Sequence, residues 1–155
     1  MKYFAYGMNT NSAEMSYRCP RARSLGAAIL LDHEFRFSTH ADIIEYPGFE
    51  THGVLWDITT DCEAALDILE GFPHYYQKKI VTVQYQGQEI QAMTYYMTGD
   101  RSDALPSSGY LAMIMDGYHE HDVPTEQIHL SIDYIENMEY AKFSQHQDAV
   151  AEIAG

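Results

Sequence analysis

Two cysteines, five prolines and one tryptophan are all that 155 residues provide, and nine lysines and arginines face 23 aspartates and glutamates for a net charge of −14. The shortage of positive charge excludes a protein built to grip nucleic acid, because phosphate neutralisation needs clustered Lys and Arg. The basic residues gather only as Arg18/Arg21/Arg23 and Lys78-Lys79, which also argues against a polybasic membrane contact. No apolar run approaches the about 18 residues of a spanning helix. The stretch Gly26-Ala27-Ala28-Ile29-Leu30-Leu31 is far too short and stops at Asp32-His33-Glu34. Met1-Lys2-Tyr3-Phe4 opens the chain without the apolar stretch of a signal peptide, so export is not expected. Cys19 and Cys62 form no CxxC and are expected to be reduced thiols of a cytoplasmic protein. A small-molecule site in one domain is the function class left standing.

Enough remains to build that domain. The chain is 46% hydrophobic and 13% aromatic, too rich for disorder, and its length suffices for a core without metal or disulfide. With no repeat, low-complexity block or linker, residues 1–155 read as a single domain whose last thirty or so residues are a helical extension. Lys2–Tyr6 is a strand ending at Gly7, and Asn11 or Ser12 caps a short helix through Arg18 that Pro20 stops. Ser24 to His40 is extended, and Gly53–Ile58 is a further strand. Thr60-Asp61-Cys62-Glu63 has the form of a capping box and opens a helix through Glu70, with Gly71 beyond its end. Tyr76–Gln84 and Glu89–Met97 are strands joined around Gln86-Gly87. Helices follow over Ser107 to about Tyr118 and Pro124 to about His146, the tail after Gln147 being frayed. Strands first and helices last predict an α+β fold: a mixed, mostly antiparallel sheet, curled or closed into a small barrel, with flanking helices.

Two places could carry chemistry. The turn Tyr6-Gly7-Met8-Asn9 can aim successive backbone N–H groups at a carboxylate or oxyanion, although it also reads as a plain strand-to-helix turn. Glu70 sits at the end of its helix, where the macrodipole and the apolar neighbours Leu66 and Phe72 both raise a carboxyl pKa. That is the state wanted of a general base that must later release its proton, but a solvated glutamate at a helix end is the competing account. Tyr75-Tyr76 and Tyr95-Tyr96 lie on adjacent strands and suit the wall of a polar pocket. His119-Glu120-His121 is not HExxH, so no metal site is expected, and Ser107-Ser108 has no GxSxG setting.

Taken together these segments resemble the γ-glutamylcyclotransferase superfamily, particularly its AIG2-like branch. Tyr3-Phe4-Ala5-Tyr6-Gly7-Met8-Asn9 is similar to the family's Y-G-S-N loop, and Arg18-Cys19-Pro20-Arg21-Ala22 to its R-x-P-x-A. Gly53-Val54-Leu55-Trp56 resembles G-V-V-W, and Leu66-Asp67-Ile68-Leu69-Glu70-Gly71 resembles L-D-x-x-E-G. Thr94-Tyr95-Tyr96-Met97 and Pro106-Ser107-Ser108-Gly109-Tyr110 resemble a later strand and a substrate-flanking loop. The likeness spans about residues 2–125. It implies a cofactor-free enzyme, acting as monomer or homodimer on a small γ-glutamyl amino acid or amine, which it cyclises to 5-oxoproline with release of the amine. Glu70 would be the catalytic base, with Tyr6, Gly7, Met8, Asn9, Tyr76, Tyr95 and Tyr110 binding substrate. Met8 departs from the family's usual serine and removes one hydroxyl donor, which bears on substrate preference. The alternative is a binding module that keeps the pocket for a carboxylate-bearing ligand without turnover.

Overall fold

Period-two burial builds most of the molecule. In the computed structural model, which describes residues 1–154, strands β1 (Lys2–Ala5), β2 (Arg23–Ser38), β3 (His40–Asp57), β4 (Tyr76–Tyr85) and β5 (Gln88–Met97) close into a barrel in the order β1-β3-β2-β4-β5. Every pairing is antiparallel except that of β1 with β5, where Tyr3 faces Met93. Phe4, Leu30, Phe37, Val54, Leu55 and Val83 are sealed from solvent, each such side chain stabilising the fold by roughly 1.5–3 kcal/mol. The predicted α+β barrel is the one observed.

The elements differ from the sequence reading where burial leaves no pattern. The strand expected at Gly53–Ile58 begins at His40, because β2 and β3 run on as a long hairpin whose Glu45–Glu50 stretch is mostly exposed on both faces and so shows no alternation. Gln86 and Gly87, both at positive φ, turn β4 into β5 as expected.

Four helices, α1 (Ser12–Arg18), α2 (Thr60–Leu69), α3 (Ser108–Glu120) and α4 (Glu126–Ala154), surround the barrel. Asn11 caps α1 by accepting from Glu14 N at 3.2 Å. The cap of α2 is Thr59 and not Thr60: its Oγ1 accepts from Cys62 N at 3.1 Å, and with Cys62 instead of a glutamate at the third position the box read from the sequence reduces to a simple cap. The start of α4 is fastened to β3 by Gln127, which accepts from His52 N at 2.7 Å and donates to His52 O at 2.8 Å. Ile128 and Ile135 bury there. The tail expected to fray continues as helix to Ala154; its later turns carry exposed side chains such as Tyr140, 71% accessible, so burial gives no sign of where it ends.

The cysteines also correct the sequence reading. Cys19, at the end of α1, and Cys62, in α2, are joined as a disulfide with their Cα atoms 5.2 Å apart and their positions 43 apart in sequence. Spacing alone gave no reason to pair them, since the contact exists only once α1 and α2 pack together. A cross-link over that separation restrains the unfolded chain by about 3–4 kcal/mol. Cys62→Ser is therefore expected to lower the unfolding free energy by about 3 kcal/mol under non-reducing conditions. Denaturant titrations with and without a dithiol reductant check this; equal midpoints for the unsubstituted protein in both would mean that the bond does not form.

Candidate active site

The first strand delivers the chain into a 3₁₀ turn, Met8–Thr10. Thr10 N and Oγ1 both donate to Gly7 O, at 3.1 and 2.8 Å, and Asn11 N donates to Met8 O at 3.0 Å. These bonds use the N–H groups of Thr10 and Asn11; those of Met8 and Asn9 fall on the leading edge of the turn, where such a turn has no internal acceptor. Helix α3 holds the turn from behind. Tyr118, fully buried, donates to Tyr6 O at 2.6 Å, and Asn11 Nδ2 donates to Met113 O at 3.0 Å. Gly7 has a specific reason to lack a side chain: a methyl group there would meet Ala41 Cβ at 3.0 Å and the Tyr110 hydroxyl at 3.2 Å.

Helix α2 brings the carboxylate. Glu70 is its C-cap, and Gly71 at φ +65° turns the chain away immediately afterwards, the position where glycine is favoured. The helix is fixed to the barrel by Asp67, which accepts from Tyr95 Oη at 2.7 Å and, on its other oxygen, from Lys78 Nζ at 2.9 Å. Lys78 also bonds Glu63 Oε1 at 2.8 Å. The disulfide ties the same helix to α1.

Turn and helix meet across a cavity of about 250 Å³. Asn9, only 3% accessible, donates through Nδ2 to Glu70 Oε1 at 3.1 Å and to the Tyr3 hydroxyl at 2.9 Å. Burial pushes the Glu70 carboxyl above the ordinary carboxylate range, while the Arg18 guanidinium and the Asn9 hydrogen bond pull it partly back. The sequence argument anticipated the direction; the dominant cause is enclosure in the cavity.

Every residue expected from the sequence lies on this cavity: Glu70, Tyr6, Gly7, Met8, Asn9, Tyr76, Tyr95 and Tyr110. Their hydroxyls are not equivalent. Tyr6 donates to Tyr95 O at 2.7 Å, Tyr76 to Ala41 O at 2.7 Å, and Tyr95 to Asp67, so these three supply rings to the wall and spend their protons on the fold. Tyr110 instead accepts from Ala41 N at 3.0 Å, and Tyr3 accepts from Asn9, which leaves each its own proton to offer a guest. Burial pushes Tyr3 and Tyr110 well above the usual phenol value, so both stay protonated donors at neutral pH.

Four lining or supporting residues escaped the sequence reading. In the sequence Tyr3 stands only as part of a strand motif and His40 as one of several scattered histidines; in the structure His40 Nδ1 lies 2.8 Å from the Tyr75 hydroxyl at the cavity wall. Arg18 and Asp67 stood inside recognised motifs without a role. A carboxylate one helical turn before Glu70, and an arginine four residues after Glu14, were the signals available. No group of three or more His, Cys, Asp and Glu among the described residues is placed to hold a metal, and no helix among them is long and apolar enough to cross a membrane.

Fold and site together define a closed-barrel domain with a half-buried carboxyl in a tyrosine-walled cavity, beside the turn that follows the first strand. Residues 3–113 match the family model of γ-glutamyl cyclotransferase, AIG2-like. The chain is 30% identical over 138 residues to the γ-glutamylcyclotransferases of Bos taurus and Homo sapiens, covering 80% of this chain and 73% of each relative. It superposes on a solved γ-glutamyl cyclotransferase with TM-score 0.76 and 32% identity, over 84% of this chain and 85% of that one. The chain belongs to the AIG2-like γ-glutamyl cyclotransferase family and is an enzyme of that kind.

Proposed function

We propose that the protein converts a γ-glutamyl amino acid or γ-glutamylamine to 5-oxoproline and the free amine, with Glu70 as general base. The observation that carries this reading is the placement of the Glu70 carboxyl in the cavity, 3.1 Å from Asn9 Nδ2 and poorly hydrated. The substrate supplies its own nucleophile. Glu70 takes a proton from the α-ammonium, the freed amine attacks the γ-carbonyl carbon, and the carbonyl electron pair moves onto oxygen. The backbone N–H groups of Gly7, Met8 and Asn9 hold the α-carboxylate or that oxyanion, and Tyr110 and Tyr3 offer the protons described above. Collapse of the tetrahedral centre breaks the γ-amide C–N bond, and the proton held by Glu70 goes to the leaving amine. The second proton of the attacking nitrogen, lost as the lactam N–H forms, passes to the freed Glu70 carboxylate and on to the amine product or solvent.

An intramolecular attack needs little more than the folded substrate conformer and a base, and holding that conformer in line supplies several kcal/mol. Tyr6, Tyr76 and Tyr95 serve that purpose as walls, since their own hydrogen bonds lock their rings in place. The protein is accordingly expected to release 5-oxoproline from members of a panel of γ-glutamyl amino acids and amines, measured by chromatography of the product. Saturable binding of those compounds with no product from any of them would replace this reading with the binding module.

A further inference from the structure

Asn9 faces Glu70 with its NH₂ end, and the chemistry of a carboxamide does not require that. Its oxygen and nitrogen ends are nearly the same shape, so rotation by half a turn would set Oδ1 against the Glu70 carboxylate instead. The neighbour on the other side removes the ambiguity. Arg18 Nη1 donates to Asn9 Oδ1. A guanidinium carries five N–H donors and no acceptor, so it tolerates only the oxygen end of the amide. Arg18 is itself held, at 3.3 Å through Nη2, by Glu14 one turn earlier on α1, and its side chain is 20% accessible. The row Glu14–Arg18–Asn9–Glu70 thus alternates acceptor and donor at every junction, and Tyr3 takes the second Asn9 proton.

We propose that Arg18 is a positioning residue of the active site: acting through Asn9, it fixes which end of the carboxamide meets Glu70 and so holds the base in place for substrate. This rests on the cyclotransferase reading above. Arg18 touches no reacting atom in this arrangement. Its effect on the base is both geometric, through the amide, and electrostatic, because its charge opposes the upward push of burial on Glu70. The groups facing Glu70 from the other elements are Tyr3 of β1, Tyr76 of β4, Tyr95 of β5 and Tyr110 of α3, with His40 of β3 at the wall. Those four tyrosines are all held protonated by burial. Arg18 is the arginine of that lining.

Arg18→Met keeps the stem of the side chain and removes the donors and the charge. It is expected to lower kcat by about tenfold or more, to leave KM within about threefold, and to move the acid limb of the kcat profile to higher pH by about one unit. Arg18→Lys restores a charged donor and is expected to return the limb to its original place and most of kcat. Glu70 labelled with ¹³C at the carboxyl reports its titration directly, so this readout stands even if no γ-glutamyl compound is turned over. An upward move of that titration in Arg18→Met, reversed in Arg18→Lys, supports the proposal. A kcat loss with an unmoved acid limb and unmoved Glu70 titration overturns it in favour of a structural role, as does unchanged activity. Should Arg18→Met not fold, the unsubstituted protein decides: the Arg18 guanidinium and Asn9 amide NMR signals must titrate at the Glu70 midpoint and cease to do so in Glu70→Gln. Signals that ignore Glu70 overturn the proposal.

Discussion

Glu70→Gln is expected to abolish 5-oxoproline release to within about one part in 10³ while leaving affinity for a γ-glutamyl ligand within a few-fold. General-base catalysis is worth about 10²–10⁴ in rate, and the amide that replaces the carboxylate keeps Oε1 as acceptor for Asn9 Nδ2, the bond seen at 3.1 Å. The cavity therefore retains its shape and loses only the group that takes the proton. Single-turnover product formation alongside calorimetric binding separates these effects, and full turnover in the variant would remove Glu70 from the mechanism. Stability should move the other way. Burial raises the Glu70 pKa in the folded protein, so between its unfolded and folded values the native state binds more protons than the unfolded one. Stability then falls as pH rises through that interval. The glutamine variant has no such slope and should be at least as stable as the parent at pH 8. Activity carries the same shift with the opposite sign: the base must be ionised, so turnover should climb with pH through a midpoint above the ordinary carboxylate range.

Gly117→Ala is expected to have a large effect on stability. Helix α3 crosses the 3₁₀ turn so closely that a methyl group at Gly117 would stand 2.7 Å from Asn11 N and 2.7 Å from the Thr10 carbonyl carbon, besides striking Thr10 Oγ1. Backbone on both sides cannot yield as a side chain would. Overpacking of this kind costs about 3 kcal/mol, or a drop of about 9 °C in Tm for a chain of this size. The same displacement moves the turn that carries Met8 and Asn9, so specific activity of the folded fraction should fall with it. Gly109, in the first turn of the same helix, is the control. A methyl group there meets nothing within 4 Å, and Gly109→Ala should be neutral or mildly stabilising by up to about 1 kcal/mol. Equal thermal shifts for the two variants would show that helix propensity, not the crossing, governs α3.

These two glycines also mark how far the sequence could be read. Gly109 and Gly117 look alike in sequence, each a glycine in a helical stretch, and only the crossing of α3 over the turn separates them. The tyrosines behave similarly. Tyr76, Tyr95 and Tyr110 were all legible as cavity wall, but which hydroxyls are already spent depends on Ala41 and Asp67, residues distant along the chain. Alternation in β4 and β5, the turn at Gln86-Gly87 and the end of α2 at Gly71 were readable because each is written in neighbouring residues. The long β2–β3 hairpin and the further turns of α4 were not, because exposed faces carry no burial period.

The sequence by itself determined the barrel-and-helix class and the family, and pointed to Glu70 and the Tyr6–Asn9 turn, because strand alternation, helix ends and short motifs are local properties that a chain states residue by residue. Only the tertiary structure decided that Cys19 binds Cys62, that Arg18 reaches Asn9 and that Asn9 reaches Glu70 across 61 positions. Those partners are chosen by how α1, α2 and the first turn pack around the barrel mouth, and a pairing made by packing leaves no periodic trace in the chain that makes it.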